Sequence, residues 1–195
     1  MKKVLLVLLA ALAMQAPAVH ANSLIAAGPT AKIAKSSIAS SPDGEWNKLS
    51  FSGGPNVEVW TRDGDNLNKV SFFGGVAAGM PIYREANKKK APLPKVDGAM
   101  LLPDIPLLLE STYRARFQVN RMAIDSQDVT TAGGRQAIRF TYSYVRDEDG
   151  VERKGEAIGT MVDKKLYLVT YEAPSIYYFG KDLEAYHKIV DSLKF

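Results

Sequence analysis

The segment Leu166-Tyr167-Leu168-Val169-Thr170-Tyr171 is largely apolar and β-prone on both of its alternating faces. That pattern suits a strand in the centre of a sheet, and it constrains everything packed against it. Asp163-Lys164-Lys165 supplies a polar turn ahead of it, and Ala173-Pro174 ends it, because proline has no N–H to give to a ladder. Beyond it, Leu183, Tyr186, Val190 and Leu193 recur at helical spacing, with Asp182 placed to cap the helix. The expected outcome is a closing amphipathic helix lying on the sheet through that stripe.

The rest of the chain supplies partners for this strand. Trp46 to Phe51, Asn56 to Arg62 and Leu67 to Phe73 read as strands, the last two forming a hairpin across Asp63-Gly64-Asp65-Asn66. Residues 74–100 change character, with glycines, Pro81, Pro92 and Pro94 arguing for a long surface loop that carries Lys88, Lys89 and Lys90. A helix with Asp104 as N-cap follows, burying Ile105, Leu108, Leu109, Thr112 and Phe117. Ala123 to Thr131, Arg135 to Arg146 and Val151 to Val162 then form a meander, with Ile138, Phe140, Tyr142 and Tyr144 on one face. Hairpin, helix, meander and helix in succession predict an α+β domain over residues 43–195, a twisted antiparallel sheet flanked by helices as an α/β/α sandwich.

The N-terminus has a different purpose. Lys2 and Lys3 precede an apolar run from Val4 to Met14, and Val19-His20-Ala21 places small residues where a signal peptidase reads them, so residues 1–21 are expected to be a signal peptide cleaved between Ala21 and Asn22. No later stretch approaches the roughly 20 apolar residues of a membrane helix, so no transmembrane anchor is expected in the mature chain. Residues 22–42, rich in Ala and Ser without a period, read as a flexible arm. The chain has no cysteine, which excludes disulfides and thiolate metal sites. Loss of Lys2 and Lys3 lowers the formal charge from +4 to +2, too little to support nucleic-acid binding. The expected location is the periplasm, or the exterior.

Chemical signals are sparse. Past Ala21, His187 is the only histidine, and a single histidine builds neither a metal site nor a Ser-His-Asp triad by itself. Gly74-Gly75-Val76-Ala77-Ala78-Gly79 misplaces the second glycine of a dinucleotide loop, and Pro81 stands where its helix would begin. Asp63, Asp65 and Asn66, and likewise Asp147, Glu148 and Asp149, offer oxygen ligands but lack the spacing of a calcium loop, and plain hairpin turns account for them. No cofactor is expected. Two features point to recognition. Tyr177-Tyr178-Phe179 is an aromatic run ahead of the last helix, and its three rings cannot all enter one core. Lys88, Lys89 and Lys90, with Arg84 and Lys95 nearby, suit an acidic partner or an anionic membrane surface, or else a solvated loop.

The opening hairpin, middle helix, three consecutive strands and a last helix ending in Ser192-Leu193-Lys194-Phe195 resemble the PsbP-like fold, a group that includes PsbP and exported bacterial proteins of the DcrB kind. The resemblance implies an exported, non-enzymatic accessory or binding domain, and it carries over no site residue. The expected function is therefore an exported bacterial envelope protein that holds a protein partner or a small apolar ligand. The alternatives are a periplasmic hydrolase using carboxylates such as Asp147 or Glu172, and an oligomeric structural protein of the envelope.

Overall fold

The computed structural model describes residues 22–119 and 121–195; the expected signal peptide and Ala21 lie outside them. Among the described residues the chain forms ten strands and two helices: β1 (Ser23–Ile25), β2 (Thr30–Ile33), β3 (Ile38–Ser40), β4 (Trp46–Lys48), β5 (Val57–Thr61), β6 (Lys69–Ala77), α1 (Asp104–Phe117), β7 (Arg121–Ala132), β8 (Arg135–Val145), β9 (Glu152–Val162), β10 (Lys165–Pro174) and α2 (Tyr178–Asp191). Eight strands make one sheet in the order β1-β4-β5-β6-β10-β9-β8-β7, and every neighbouring pair is antiparallel. The doubly apolar strand β10 lies between β6 and β9.

Alternation along the strands divides the core into two clusters, since successive side chains leave opposite faces of a sheet. Leu166 and Leu168 of β10 join Phe140 and Tyr142 of β8 and Ile105, Leu109 and Tyr113 of α1 in one cluster. Tyr167, Val169 and Tyr171 join Val70 and Phe72 of β6 and Ala185, Tyr186 and Ile189 of α2 in the other. The α2 stripe is thus the expected one widened by Ala185 and Ile189. Close packing is permitted by Gly155, where a Cβ would overlap the ring of Tyr142, and by Gly159, where a Cβ would press on Ile105.

Three readings of the sequence need correction. Residues 22–42 are not a loose arm: β1 pairs with β4, and β2 and β3 form a hairpin that buries Ile33, Ala34 and Ile38. The serines that made the stretch look featureless close the end of α2, with Ser40 Oγ donating to the Ile189 carbonyl at 2.9 Å and the Ser41 N–H donating to Ser192 Oγ at 2.8 Å. The long loop begins later than residue 74, because Gly74 to Ala77 continue β6. Neither expected aspartate cap forms. Pro103 holds the N-cap position of α1, while Asp104 Oδ2 accepts the Leu101 N–H at 2.8 Å. Tyr177 precedes α2, and Asp182 falls inside that helix, buried against Arg62 and Asn68.

Candidate functional site

Glu172 ends the apolar run of β10 on the face that α1 covers, and it is almost fully buried. A carboxylate in that position needs partners to offset its lost hydration. Lys69, its direct cross-strand neighbour on β6, places Nζ 2.8 Å from Glu172 Oε1. The hydroxyls of Tyr113 from α1 and Tyr142 from β8 donate to Oε2 at 2.8 and 3.3 Å. Burial by itself would push the Glu172 carboxyl up; the Lys69 charge and hydrogen bond, the Tyr113 hydroxyl and the Arg146 charge outweigh it and hold the group below its ordinary value. Glu172 is therefore ionised, and its charge is answered locally.

Tyrosine rings enclose this pair. Tyr113 meets Tyr142 and Tyr144 edge-on at 6.0 and 5.3 Å, and Phe117 joins Tyr113 to Tyr83 at 5.1 and 5.6 Å. Burial, reinforced by the negative charge of Glu172, raises the hydroxyls of Tyr83, Tyr113, Tyr142 and Tyr144 above the ordinary tyrosine value. All four stay protonated, and Tyr113 and Tyr142 are fixed as donors to the carboxylate.

A cleft of about 440 Å³ opens beside this network. Phe51, Tyr83 and Phe117 give it aromatic walls, and Lys69, Arg116 and Arg146 line it with positive charge; Asp65, Asp147 and Glu148 supply the opposite sign. The Arg116 guanidinium lies 4.8 Å from the Tyr83 ring and 5.3 Å from Phe117, and its Nη1 donates to the Arg84 carbonyl at 2.7 Å, so that cation is held in a fixed orientation. Phe51 is 76% exposed, a large apolar ring left in water at the edge of a concave, two-signed surface.

The residues singled out by sequence lie elsewhere. Tyr177 is 69% exposed and occupies the centre of a γ-turn, with φ 69°, ψ −60° and the Tyr178 N–H donating back to the Ile176 carbonyl at 2.9 Å. Tyr178 and Phe179 are half-buried against the α2 cluster, and the Tyr171 hydroxyl donates to both of their carbonyls. Lys88, Lys89 and Lys90 are exposed; Lys88 lines a second groove, and the N–H groups of Lys89 and Lys90 donate to Asn87 Oδ1. His187 pairs with Glu156, Nε2 lying 3.1 Å from Oε1. Asp63 is bonded by Lys181 and Asn68, and Asp149 by Arg153, so these turn carboxylates serve the local fold. The four tyrosines around Glu172 were not anticipated as a unit. Their one trace in the sequence is an acid at the end of an apolar strand, beside the Tyr-x-Tyr alternation of β8.

No protein-family model matches the chain, and no curated protein sequence does. Among solved structures, the cyanobacterial PsbP (CyanoP) of Synechocystis superimposes with a TM-score of 0.55 at 13% identity, over 92% of this chain and 96% of that one. PA94 of Pseudomonas aeruginosa, a protein of unknown function, aligns at a TM-score of 0.40 and 11% identity, over 75% of this chain and 94% of that one. LpqN of Mycobacterium tuberculosis, involved in cell envelope biogenesis, aligns at 0.33 and 9%, over 93% and 86%; these two superimpose too loosely to bear on role. What the superposition on CyanoP adds to the element order and the Ser192-x-x-Phe195 ending is the fold: this chain is PsbP-like in architecture.

Proposed function

We propose that the protein is an exported accessory module of the bacterial envelope, working in the periplasm after loss of residues 1–21, and that it holds a segment of a protein partner in the cleft beside Glu172. The carrying observation is the pairing of a largely exposed Phe51 with a cleft that already presents fixed cations and acids. Aromatic and arginine side chains concentrate binding energy at protein interfaces, and the two signs of charge suit a polypeptide carrying both. The rigid Lys69–Glu172–tyrosine network gives the cleft a preorganised base. We read the two helix-bearing clusters as the outer layers of an α/β/α sandwich, which leaves the cleft at the exposed end of α1. Tyr177, Lys89 and Lys90 remain secondary contact points in this reading.

Non-catalytic use is favoured by the state of Glu172. A carboxylate held below its ordinary value, with both oxygens engaged by Lys69, Tyr113 and Tyr142, is poorly placed to act as a general acid or as a nucleophile.

A photo-crosslinking residue at position 51, introduced in cells, tests the proposal against the same residue at Leu24, another exposed apolar position. We expect one discrete adduct from position 51 that is lost when Arg146→Glu is added, and none from position 24. No adduct from position 51, or the same adducts from both positions, would remove the cleft as the partner site.

A further inference from the structure

A second concavity of about 340 Å³ lies at the far end of β6, and it differs in chemistry from the cleft. Val76 and Ile82 are buried in its floor, while Met80 is 51% exposed beside it. The lining also includes Arg84, Lys88 and Lys165, all exposed. None of these three cations forms an ion pair among the described residues. Glu85, the acid of the lining, accepts the Leu93 N–H through Oε1 at 3.0 Å. The groove thus joins a largely apolar floor to an excess of unpaired positive charge, in a volume that falls within the range of small-molecule sites.

We infer that this groove binds a single amphiphile with an anionic head group, its hydrocarbon part against Ala77 and Met80 above the buried Val76 and Ile82 and its head among Arg84, Lys88 and Lys165. Charge complementarity selects the occupant. A neutral apolar molecule would leave three cations unanswered, and a small inorganic anion would leave the exposed Met80 and Ala77 in water. Two features hold the groove open. The Gly79 N–H donates to the Val96 carbonyl at 2.8 Å and the Val96 N–H to the Met80 carbonyl at 3.0 Å, which pins the loop beside β6. Lys165 is carried on the first residue of β10, opposite Ala77, so its backbone is fixed by the sheet. The groove and the partner cleft share only Tyr83 in their linings, so this inference stands apart from the proposed function.

The test is calorimetric titration of the purified protein with three probes below any micellar concentration: dodecanoate, dodecanol and inorganic phosphate. We expect dodecanoate to bind one molecule per chain, dodecanol to bind at least about tenfold more weakly, a loss of about 1.4 kcal/mol, and phosphate to give no heat. The double variant Lys88→Glu/Lys165→Glu should weaken dodecanoate by a similar factor while the near-ultraviolet circular dichroism is unchanged. Equal binding of dodecanol, binding of phosphate as strong as that of dodecanoate, or an unchanged affinity in the double variant would each overturn the assignment. Absence of dodecanoate binding would do the same. So would binding to vesicles of anionic lipid without binding of the monomeric probe, which would assign the cations to a membrane surface. Should the double variant lose its native dichroism, Lys88→Glu, on the exposed loop, serves in its place.

Discussion

Lys69 and Glu172 stand directly opposite each other across β6 and β10, and their charged groups meet at 2.8 Å with the glutamate almost fully buried. A buried pair of this kind is costly to halve, because the partner that remains keeps its desolvation without its counter-charge. Lys69→Met should therefore destabilise the protein by about 3–5 kcal/mol, while Lys69→Met/Glu172→Leu recovers much of the loss. Denaturant titration of both variants checks this. A single variant as stable as the parent would mean that Arg146 and the tyrosines carry Glu172 without Lys69.

The same carboxylate makes stability depend on acid. Its value in the fold is below that of an unfolded glutamate, near 4.5, so the ionised form stabilises the protein above that pH. The contribution is lost as the pH falls through the lower, folded value. We expect the parent to lose more stability than Glu172→Gln on acidification across this window. Parallel losses would show that other carboxylates dominate.

At the alkaline end the sign reverses. Tyr83, Tyr113, Tyr142, Tyr144, Tyr171 and Tyr186 all have hydroxyls raised by burial, so the folded chain keeps protons that the unfolded chain releases above about pH 10. Stability should fall steadily beyond that point. The phenolate absorbance of these residues should appear together with unfolding, as one cooperative step followed by dichroism. Gradual ionisation with the native dichroism retained would contradict the closed packing described for them.

Gly155 on β9 is the contact that lets Tyr142 reach Glu172, since any Cβ there would overlap the tyrosine ring. Gly155→Ala should cost about 1–3 kcal/mol through overpacking. Removing the ring as well, in Gly155→Ala/Tyr142→Ala, should cost less than the sum of the two single changes. Additive losses in thermal denaturation would show that the two residues do not restrain each other.

The long free edge of the sheet is β7, twelve residues long and exposed over most of its length, the opposite edge being the three-residue β1. Two devices blunt it: the bulge at Asp125, and the charge of Asp128 beside the exposed Val129. Asp125→Val/Asp128→Val should self-associate at concentrations where the parent does not, as read by sedimentation velocity. Equal sedimentation behaviour would mean that the twist of the edge protects it without these charges.

Much of this fold is legible in short-range pattern, because period-2 alternation and helical stripes are local. Leu166 to Tyr171 marks its own central place, β8 shows which face carries Phe140, Tyr142 and Tyr144, and the α2 stripe names Tyr186 and Val190. What stays hidden is assembled over long separations. Tyr113 and Glu172 are 59 residues apart, and nothing near either residue announces the other. The β2–β3 hairpin is missed for a different reason. Its strands are only four and three residues long, and its stability comes from Ile33 and Ile38 entering the core cluster that α2 also joins and from Glu58 accepting the Ala34 N–H. The cleft was equally out of reach, since Phe51, Arg116 and Arg146 belong to three different parts of the chain.

The position of β10 sets the order in which the molecule can be completed. The strands β1, β4, β5 and β6 form one half of the sheet and β7, β8 and β9 the other, and the ladders that join the halves both run through β10. Among the described residues, every other strand precedes it. In a polypeptide that emerges N-terminus first, the two halves therefore cannot acquire a common backbone ladder until the keystone strand has emerged.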